Sequence, residues 1–198
     1  MKEKSSNYEK YTTGNPLARY LNNTFLDTLS FLAHKSGAKK VLDAGCGEGF
    51  VIEYLKKNGQ AQFMGLDIEA DALEVAKEKN PQVSFQQASV YQLPFEDNSF
   101  DLVILSEVLE HLEDPSKALE EIKRVSKQYA LISVPHEPVW RFGNMARLKY
   151  LRSFGNTPGH INHWTRRAFI GLISSHFTIK EIKTPCPWTV ALCKVKES

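Results

Sequence analysis

The sequence predicts an α/β fold in which helices cover both faces of a mostly parallel sheet of seven strands. Two observations support this prediction. Between residues 40 and 135, short apolar runs alternate with helical segments, which is the pattern of a parallel sheet buried on both faces. Near the carboxyl end, two β-rich runs follow one another without a helix between them, which predicts an antiparallel hairpin. A chain of 198 residues suits a single domain.

The first predicted element is an amphipathic helix. Apolar residues recur at steps of three and four, the spacing of one helix face, and Gly37 then ends the helix. These residues are Leu17, Leu21, Phe25, Leu29 and Leu32. We expect residues 1–37 to form an N-terminal helical cap that lies over the sheet.

The next elements form an alternating core over residues 38–135. Predicted strands lie at residues 40–44, 62–67, 83–88, 100–106 and 129–135, and predicted helices lie near residues 48–58, 70–79 and 114–126. The following segment, residues 136–165, is too long for an ordinary connection, and segments of this kind are usually functional or disordered. A helix and the antiparallel hairpin complete the chain over residues 166–198.

Composition excludes several classes of protein. Hydrophobic residues make up 42% and charged residues 24%, as in ordinary soluble domains, and no apolar run approaches the roughly 20 residues of a membrane span. We therefore expect no stable membrane insertion. The polar first residues lack the apolar core of a secretory signal, so we expect a cytoplasmic location. Cys46, Cys186 and Cys193 show no CxxC spacing and predict free thiols.

A glycine-rich loop follows the first predicted strand, in the sequence VLDAGCGEGF at residues 41–50. Such a loop at a strand end binds either a dinucleotide or S-adenosylmethionine. A dinucleotide GxGxxG fingerprint would need glycine at position 50, where the chain has Phe50. Asp43 and the GxGxG spacing therefore favour S-adenosylmethionine, which has a sulfonium and an ammonium group but no pyrophosphate. Asp67 lies 24 residues after Asp43, where a carboxylate can accept both hydroxyl protons of a ribose.

Three motifs, VLDAGCGEGF, GLDIEADAL (residues 65–73) and LPFEDNSFDLVILSEVLEHLEDP (residues 93–115), resemble the class I S-adenosylmethionine-dependent methyltransferases of the type-11 group. The resemblance implies a Rossmann-like fold, a glycine loop that wraps the methionine part of the cofactor, and a ribose held by Asp67. It also implies that Ile68 packs on adenine, and that Ser89 replaces an aspartate that commonly contacts the adenine amino group. The cofactor-binding residues predicted on these grounds are Asp43, Gly45, Cys46, Gly47, Gly49, Asp67, Ile68, Ser89, Val90 and Ser106.

Acidic residues and histidines follow the fourth predicted strand, at the sheet edge where α/β folds place their ligands. If a helical turn starts there, Glu107, Glu110 and His111 share one face, and His160 from the later segment could join them. The predicted metal ligands are therefore Glu107, Glu110, His111 and His160, and this oxygen-rich set suits Mg²⁺ or Mn²⁺. The run resembles the ubiquinone-pathway O-methyltransferases and the small-RNA 3′-terminal 2′-O-methyltransferases, in which such a run and a later histidine bind the metal.

A metal-free alternative gives the same region a different chemistry. Similar runs also occur in members of the wider family that use no metal, where the acid and histidine cap the helix or line the pocket. A neutral imidazole can accept a hydroxyl proton near neutral pH. The candidate catalytic bases are His111, His136, His160 and His163.

The predicted insertion, residues 136–165, is basic and aromatic. From position 136 to position 167 there are six basic residues and one acidic residue, a net charge of +5. We interpret the insertion as a substrate lid. Its composition also fits stacking on a nucleobase, and an amphipathic helix near residues 144–154 would fit contact with a membrane surface.

The expected activity is methyl transfer from S-adenosylmethionine to an oxygen of a small-molecule acceptor, with the N-terminal cap closing the cofactor site. One alternative is a metal-assisted 2′-O-methyltransferase that acts on an RNA 3′ end. Another is a noncatalytic S-adenosylmethionine-binding subunit that regulates a partner. The sequence does not indicate an oligomeric state.

Overall fold

The computed structural model describes residues 6–57, 59, 61–146 and 153–196. Its helices are α1 (Ser6–Tyr11), α2 (Pro16–Ser36), α3 (Phe50–Lys56), α4 (Ala70–Lys79), α5 (Pro115–Val125), α6 (Val139–Ala146) and α7 (Arg166–His176). Its strands are β1 (Lys40–Ala44), β2 (Gln62–Asp67), β3 (Ser84–Gln87), β4 (Phe100–Ser106), β5 (Ser126–Pro135), β6 (Phe177–Lys183) and β7 (Trp188–Val195). A short 3₁₀ turn, Leu109–His111, follows β4.

The seven strands form one sheet in the order β3-β2-β1-β4-β5-β7-β6. Strands β1 to β5 are parallel, and β7 lies antiparallel between β5 and β6. The predicted mostly parallel sheet with a carboxyl-terminal hairpin is therefore confirmed. Because parallel strands point the same way, the ends of β1, β2, β4 and β5 meet at one edge, and that edge is where ligands of α/β folds bind.

Two apolar layers cover the faces of the sheet. On one face α2 and α3 contribute Phe25, Leu29, Leu32, Val51 and Leu55, and on the other α5 and α7 contribute Leu119, Ile122, Phe169 and Ile173. All nine side chains are buried. Helices on both faces, as the alternating pattern predicts, hold the sheet edge rigidly enough to position a site.

Helix α2 begins and ends with residues that satisfy its terminal backbone groups. The side chain of Asn15 accepts a hydrogen bond of 3.1 Å from the Ala18 N–H, and Gly37 adopts the left-handed conformation at φ 67°. The stop at Gly37 agrees with the prediction. The predicted burial of Leu17 is wrong, because its side chain is 66% exposed and burial along α2 starts only in the second turn.

The insertion contains α6 at its start, earlier than the amphipathic helix expected near residues 144–154. Residues 147–152, on which most of that expectation falls, lie outside the described residues. Residues 156–165 follow without regular helix or strand. None of the helices within the described part of the chain is long and apolar enough to cross a membrane.

Candidate active site at the carboxyl edge of the sheet

The glycine loop forms a tight cradle between β1 and α3. The Gly45 and Cys46 N–H groups both donate to the Leu66 carbonyl, at 2.7 and 2.9 Å, which ties the loop to β2. Gly45 has φ 80°, and a Cβ there would overlap the side chain of Val108. The backbone conformation and the close approach both require glycine at this position. Gly47 and Gly49 also have positive φ.

Asp43 lies at the floor of the cradle as a buried acid. Its side chain is 1% exposed, and neither carboxyl oxygen has a hydrogen-bond partner among the described residues. Burial, with a further contribution from the charge of Asp67, raises the pKa of Asp43 to about 7. Such a group favours a cation as its neighbour, because a positive charge stabilises the carboxylate that burial destabilises.

Asp67 is fixed by backbone donors at the end of β2. Its Oδ2 accepts from the Gly47 N–H at 2.7 Å, and its Oδ1 accepts from the Glu69 N–H at 2.9 Å. The carboxylate therefore joins the glycine loop to β2 while each oxygen keeps a second lone pair. The next residue, Ile68, is 61% exposed, which leaves an apolar side chain uncovered beside the carboxylate.

Three further predicted cofactor residues lie along this edge. The Ser89 hydroxyl accepts a hydrogen bond of 3.2 Å from the Tyr91 N–H, and Val90 beside it is buried. The Ser106 and Ser133 hydroxyls lie 3.0 Å apart at the ends of β4 and β5. Cys46 is buried, and burial followed by the charge of Asp43 raises the pKa of its thiol, so it is a filler of the cradle rather than a nucleophile.

A pocket opens between the glycine loop, the end of β4 and the N-terminal helix. Its lining residues are Tyr11, Asp43, Gly45, Cys46, Glu48, Phe50, Val51, Ser106 and Glu107. Asp43, Glu48 and Glu107 give the pocket three acidic side chains. It therefore suits a ligand that carries positive charge.

Glu107 lies outside the helical face that the i, i+3, i+4 spacing predicts. It has φ 56°, and the 3₁₀ turn begins only at Leu109, so Glu107 does not share a helical turn with Glu110 and His111. Its carboxylate pairs with Lys10 and accepts a hydrogen bond of 2.5 Å from the Trp188 indole N–H. The assumption of a helical turn starting at Ser106 is thus wrong, and Glu107 is occupied by two partners within the protein.

The other three predicted metal ligands do come together. One ligand atom from each of Glu110, His111 and His160 lies within 4.8 Å of the others. Glu110 is 1% exposed, and its Oε2 has no hydrogen-bond partner among the described residues. Burial, and then the charge of Glu107, raises the pKa of Glu110 well above its ordinary value.

The two imidazoles of this cluster have defined surroundings. His111 Nδ1 lies 2.9 Å from the Gly159 carbonyl oxygen, which can only accept, so Nδ1 carries the hydrogen and Nε2 is available as an acceptor or ligand. His160 is packed edge-on against His111, with ring centroids 4.9 Å apart. Burial, and then the charge of His111, lowers the pKa of His160 to about 4, so its ring is neutral at pH 7.

The remaining predicted bases lie beside this cluster. His163 Nδ1 is 3.8 Å from Oε1 of Glu137, a buried carboxyl group that no prediction included. Burial raises the pKa of Glu137. The His136 N–H donates to the Pro187 carbonyl at 2.8 Å, which fixes the start of the insertion against the hairpin turn.

Lys10 and Tyr11 are site residues that the sequence patterns did not identify. Both belong to α1, far from the motifs in sequence; Tyr11 lines the pocket, and Lys10 pairs with Glu107 at its wall. The polar start of the chain shows no periodicity that separates these two side chains from their neighbours. Trp188 lies within the predicted hairpin, and no sequence pattern indicates that its indole N–H reaches Glu107.

Comparison with known proteins gives a match over a central part of the chain. A family model described as a methyltransferase domain matches residues 42–134. This range contains the glycine loop, Asp67 and the turn with Glu110 and His111.

Two curated relatives each match about half of the chain. A ubiquinone/menaquinone biosynthesis C-methyltransferase from Bdellovibrio bacteriovorus is 39% identical over 104 residues, which are 48% of this chain and 44% of that protein. A ubiquinone biosynthesis O-methyltransferase from Klebsiella pneumoniae is 36% identical over 107 residues, which are 50% of this chain and 44% of that protein. The match spans less than half the length of each relative.

A solved structure extends the likeness to nearly the whole chain. A protein from Pyrococcus horikoshii superimposes with a TM-score of 0.74 at 20% identity, covering 98% of this chain and 100% of that one. At this identity the likeness shows the fold alone. The fold is the Rossmann-like arrangement that the three motifs imply.

Proposed function

We propose that this chain, which belongs to the class I S-adenosylmethionine-dependent methyltransferases, transfers the sulfonium methyl group to an oxygen of a small-molecule acceptor. The observation that supports the donor most directly is Asp43. Its buried carboxyl group lines the pocket beside Gly45 and has no hydrogen-bond partner among the described residues. A buried polar group of this kind is costly unless a ligand satisfies it.

In this proposal each part of the donor meets a matching group. The ammonium of the methionine end pairs with Asp43 across the glycine loop. The two ribose hydroxyls donate to the remaining lone pairs of Asp67. Adenine packs on Ile68, whose exposed apolar surface it removes from water, with Ser89 and Val90 at its edge.

The acceptor approaches from the insertion side, where the histidines lie. Methyl transfer requires the acceptor oxygen in line with the sulfonium carbon, so positioning by the pocket walls supplies much of the rate. His160 is a weak general base, because its low pKa means that its ring binds a proton poorly. His163 is a second candidate base, and its Nδ1 lies 3.8 Å from the Glu137 carboxyl group.

We also propose that Glu110, His111 and His160 hold a divalent cation. The fit is supported by the unpartnered Glu110 oxygen, the available His111 nitrogen and the neutral His160 ring. One carboxylate and two imidazoles suit Mn²⁺ better than Mg²⁺, which prefers oxygen ligands. When bound, such an ion supplies a charge that lowers the pKa of an acceptor hydroxyl.

The acceptor class to test first comes from the names of the relatives. Both curated relatives are named for ubiquinone biosynthesis, one as a C-methyltransferase and one as an O-methyltransferase. Catechol and quinol rings with free hydroxyl groups are therefore the first panel. A second panel of RNA 3′ ends tests the alternative acceptor, since the basic insertion also fits an anionic substrate.

Transfer of label from [methyl-³H]S-adenosylmethionine tests the activity. We expect labelled product in the small-molecule panel and a methyl ether on analysis of that product. A methylated 2′-hydroxyl in the RNA panel would replace the acceptor in this proposal. Absence of any transfer, together with donor binding, would favour the noncatalytic alternative.

The metal proposal is tested by titrating the protein with Mn²⁺ and measuring bound Mn²⁺ by electron paramagnetic resonance. We expect Glu110→Gln to weaken Mn²⁺ binding by at least about tenfold, because it removes the one carboxylate of the cluster. Glu113→Gln is the matched control, since Glu113 is an exposed acid three residues further on. Equal Mn²⁺ affinity in wild type and Glu110→Gln would exclude this set of ligands.

A further inference from the structure

Lys10 extends from the N-terminal helix α1 into a buried, charge-matched cage. Its ammonium pairs with the Glu107 carboxylate, and the two side chains are only 13% and 11% exposed. The same nitrogen lies over three aromatic rings, 4.7 Å from the centroid of Tyr11, 5.0 Å from Phe25 and 4.8 Å from Trp188. An ammonium held by a carboxylate and three ring faces is a strong local contact, because burial weakens solvent screening.

The contacts of Lys10 fix its neighbour Tyr11 over the donor pocket. The Lys10 carbonyl accepts a hydrogen bond of 2.6 Å from the Asn22 side chain, which ties α1 to α2. The Tyr11 ring stacks on Phe50, with centroids 4.8 Å apart and planes at 29°. Phe50 begins α3 directly after the glycine loop, and both rings line the pocket that contains Asp43.

Helix α1 cannot hold this position through its own stability. It has six residues, and a helix of that length is not stable by itself in water. Its attachment to the domain therefore depends on tertiary contacts. One of these contacts is the largely buried pair of Lys10 with Glu107, and another is the edge-on packing of Tyr8 against Phe50.

We infer that α1 is a flap over the methionine end of the donor, and that Lys10 is the residue that fastens it. This inference rests on the proposed donor site. With the flap fastened, Tyr11 covers the pocket and Lys10 neutralises Glu107, so that Asp43 is left to pair with the ammonium of the ligand. The spent donor, S-adenosylhomocysteine, leaves only when Lys10 withdraws from the cage and α1 lifts.

The test is the dissociation rate of S-adenosylhomocysteine, which needs no knowledge of the acceptor. Lys10→Met keeps the length of the side chain and its apolar contacts but removes the charge. We expect Lys10→Met to release S-adenosylhomocysteine about tenfold faster, and Lys10→Arg to restore a rate close to wild type. Lys35→Met is the matched control, because it removes a lysine from a surface pair with Glu181 away from the pocket.

Hydrogen exchange of the wild-type protein gives a second, independent readout. We expect the amides of residues 6–14 to become protected when S-adenosylhomocysteine binds, and this protection to be lost in Lys10→Met while the β4 and β5 amides stay protected. If Lys10 contributed only to overall stability, Lys10→Met would lower the exchange protection of all of these amides together. It would not change one segment.

The outcomes separate this inference from the donor site itself. If wild type binds S-adenosylhomocysteine but Lys10→Met releases it at the wild-type rate, the flap is overturned and the donor site stands. Ligand binding without added protection of residues 6–14 would also overturn the flap. If wild type binds neither donor nor product, both proposals fail.

Discussion

Asp43 connects the chemistry of this site to pH. Its carboxyl group is neutral below its raised pKa of about 7 and becomes a carboxylate above it. Only the carboxylate attracts the ammonium group of the ligand. Binding therefore releases a proton when the pH lies below that pKa, and affinity increases as the pH rises through about 7.

This gives a prediction that titration calorimetry can check. The dissociation constant of S-adenosylhomocysteine should rise about tenfold between pH 8 and pH 6, because most Asp43 side chains are protonated at the lower pH. Asp43→Asn cannot ionise, so its weaker affinity should stay nearly constant over the same range. A wild-type affinity that does not change between these pH values would show that Asp43 does not pair with the ligand.

Gly45 gives a second prediction at the residue scale. Alanine at φ 80° costs about 1–2 kcal/mol, and its Cβ would also overlap Val108, so Gly45→Ala should lower stability and weaken donor binding. Gly171→Ala is the control, and its expected change in stability has the opposite sign. Gly171 lies inside α7 with no atom near an added Cβ, so alanine should raise stability by about 0.5–1 kcal/mol. Thermal unfolding measures both, and a neutral Gly45→Ala would contradict the close packing of the loop.

Sequence reasoning could identify the residues whose role follows from their position beside a predicted strand. Asp43 and Asp67 lie at the ends of β1 and β2, and Glu110 and His111 follow β4, so their positions relative to predicted strands identify them. Lys10 and Trp188 act through contacts with Glu107, a residue distant from both in sequence. No local pattern encodes such a contact. The positive φ of Glu107 was equally hidden, because glutamate has no marked preference for that conformation.

At the scale of elements, the insertion is fastened to the turn after β4. The Ile161 and Asn162 N–H groups donate to the Glu110 carbonyl at 2.9 and 3.0 Å. The Asn162 side chain donates to the carbonyls of Leu109 and Leu112, at 3.1 and 2.6 Å. These bonds hold His160 beside Glu110, so the geometry of the cluster depends on Asn162.

Asn162→Ala should therefore affect the proposed metal cluster but not the donor pocket. We expect Mn²⁺ binding to weaken by about tenfold, as happens when residues that orient metal ligands are removed. Affinity for S-adenosylhomocysteine should not change, because Asn162 does not line the donor pocket. Asn23→Ala, on the exposed face of α2, is the control. An unchanged Mn²⁺ affinity would indicate that the insertion is held by other contacts.

Sequence periodicity predicted most of the elements but not all of their ends. The spacing of apolar residues gave α4 and the strands β1, β2 and β4 with the bounds that the structure has, because alternation with clear glycine, proline and charged stops marks both ends. Strand β5 begins at Ser126, three residues earlier than predicted, because Ser126 pairs with Phe100 before the register shifts and Tyr129 pairs with Leu102. Backbone pairing of polar residues gives no hydrophobic signal.

At the scale of the whole molecule, the position of β7 is what assembles the site. By lying antiparallel beside β5, it brings Trp188 opposite Pro135, at the same edge as the ends of β1 and β4. Sequence reasoning could predict the hairpin from the absence of a helix between its strands. It could not predict that the indole of Trp188 would meet Glu107 and Lys10, because that depends on the order of strands in the sheet.

The match to known proteins covers one part of the chain and not the rest. The matched residues, 42–134, contain the glycine loop and most of the proposed donor site, whereas the insertion and the hairpin lie beyond them. The match therefore bears on the proposed donor site and not on the acceptor. The acceptor is therefore best identified by experiment on this chain.

Titration calorimetry of the wild-type protein with S-adenosylmethionine and S-adenosylhomocysteine tests the central claim most directly. The account predicts that one molecule binds per chain, with a dissociation constant within about tenfold of the micromolar range. In Asp67→Ala this binding should be lost. The absence of binding to a folded wild-type protein, at ligand concentrations of about 1 mM, would contradict it.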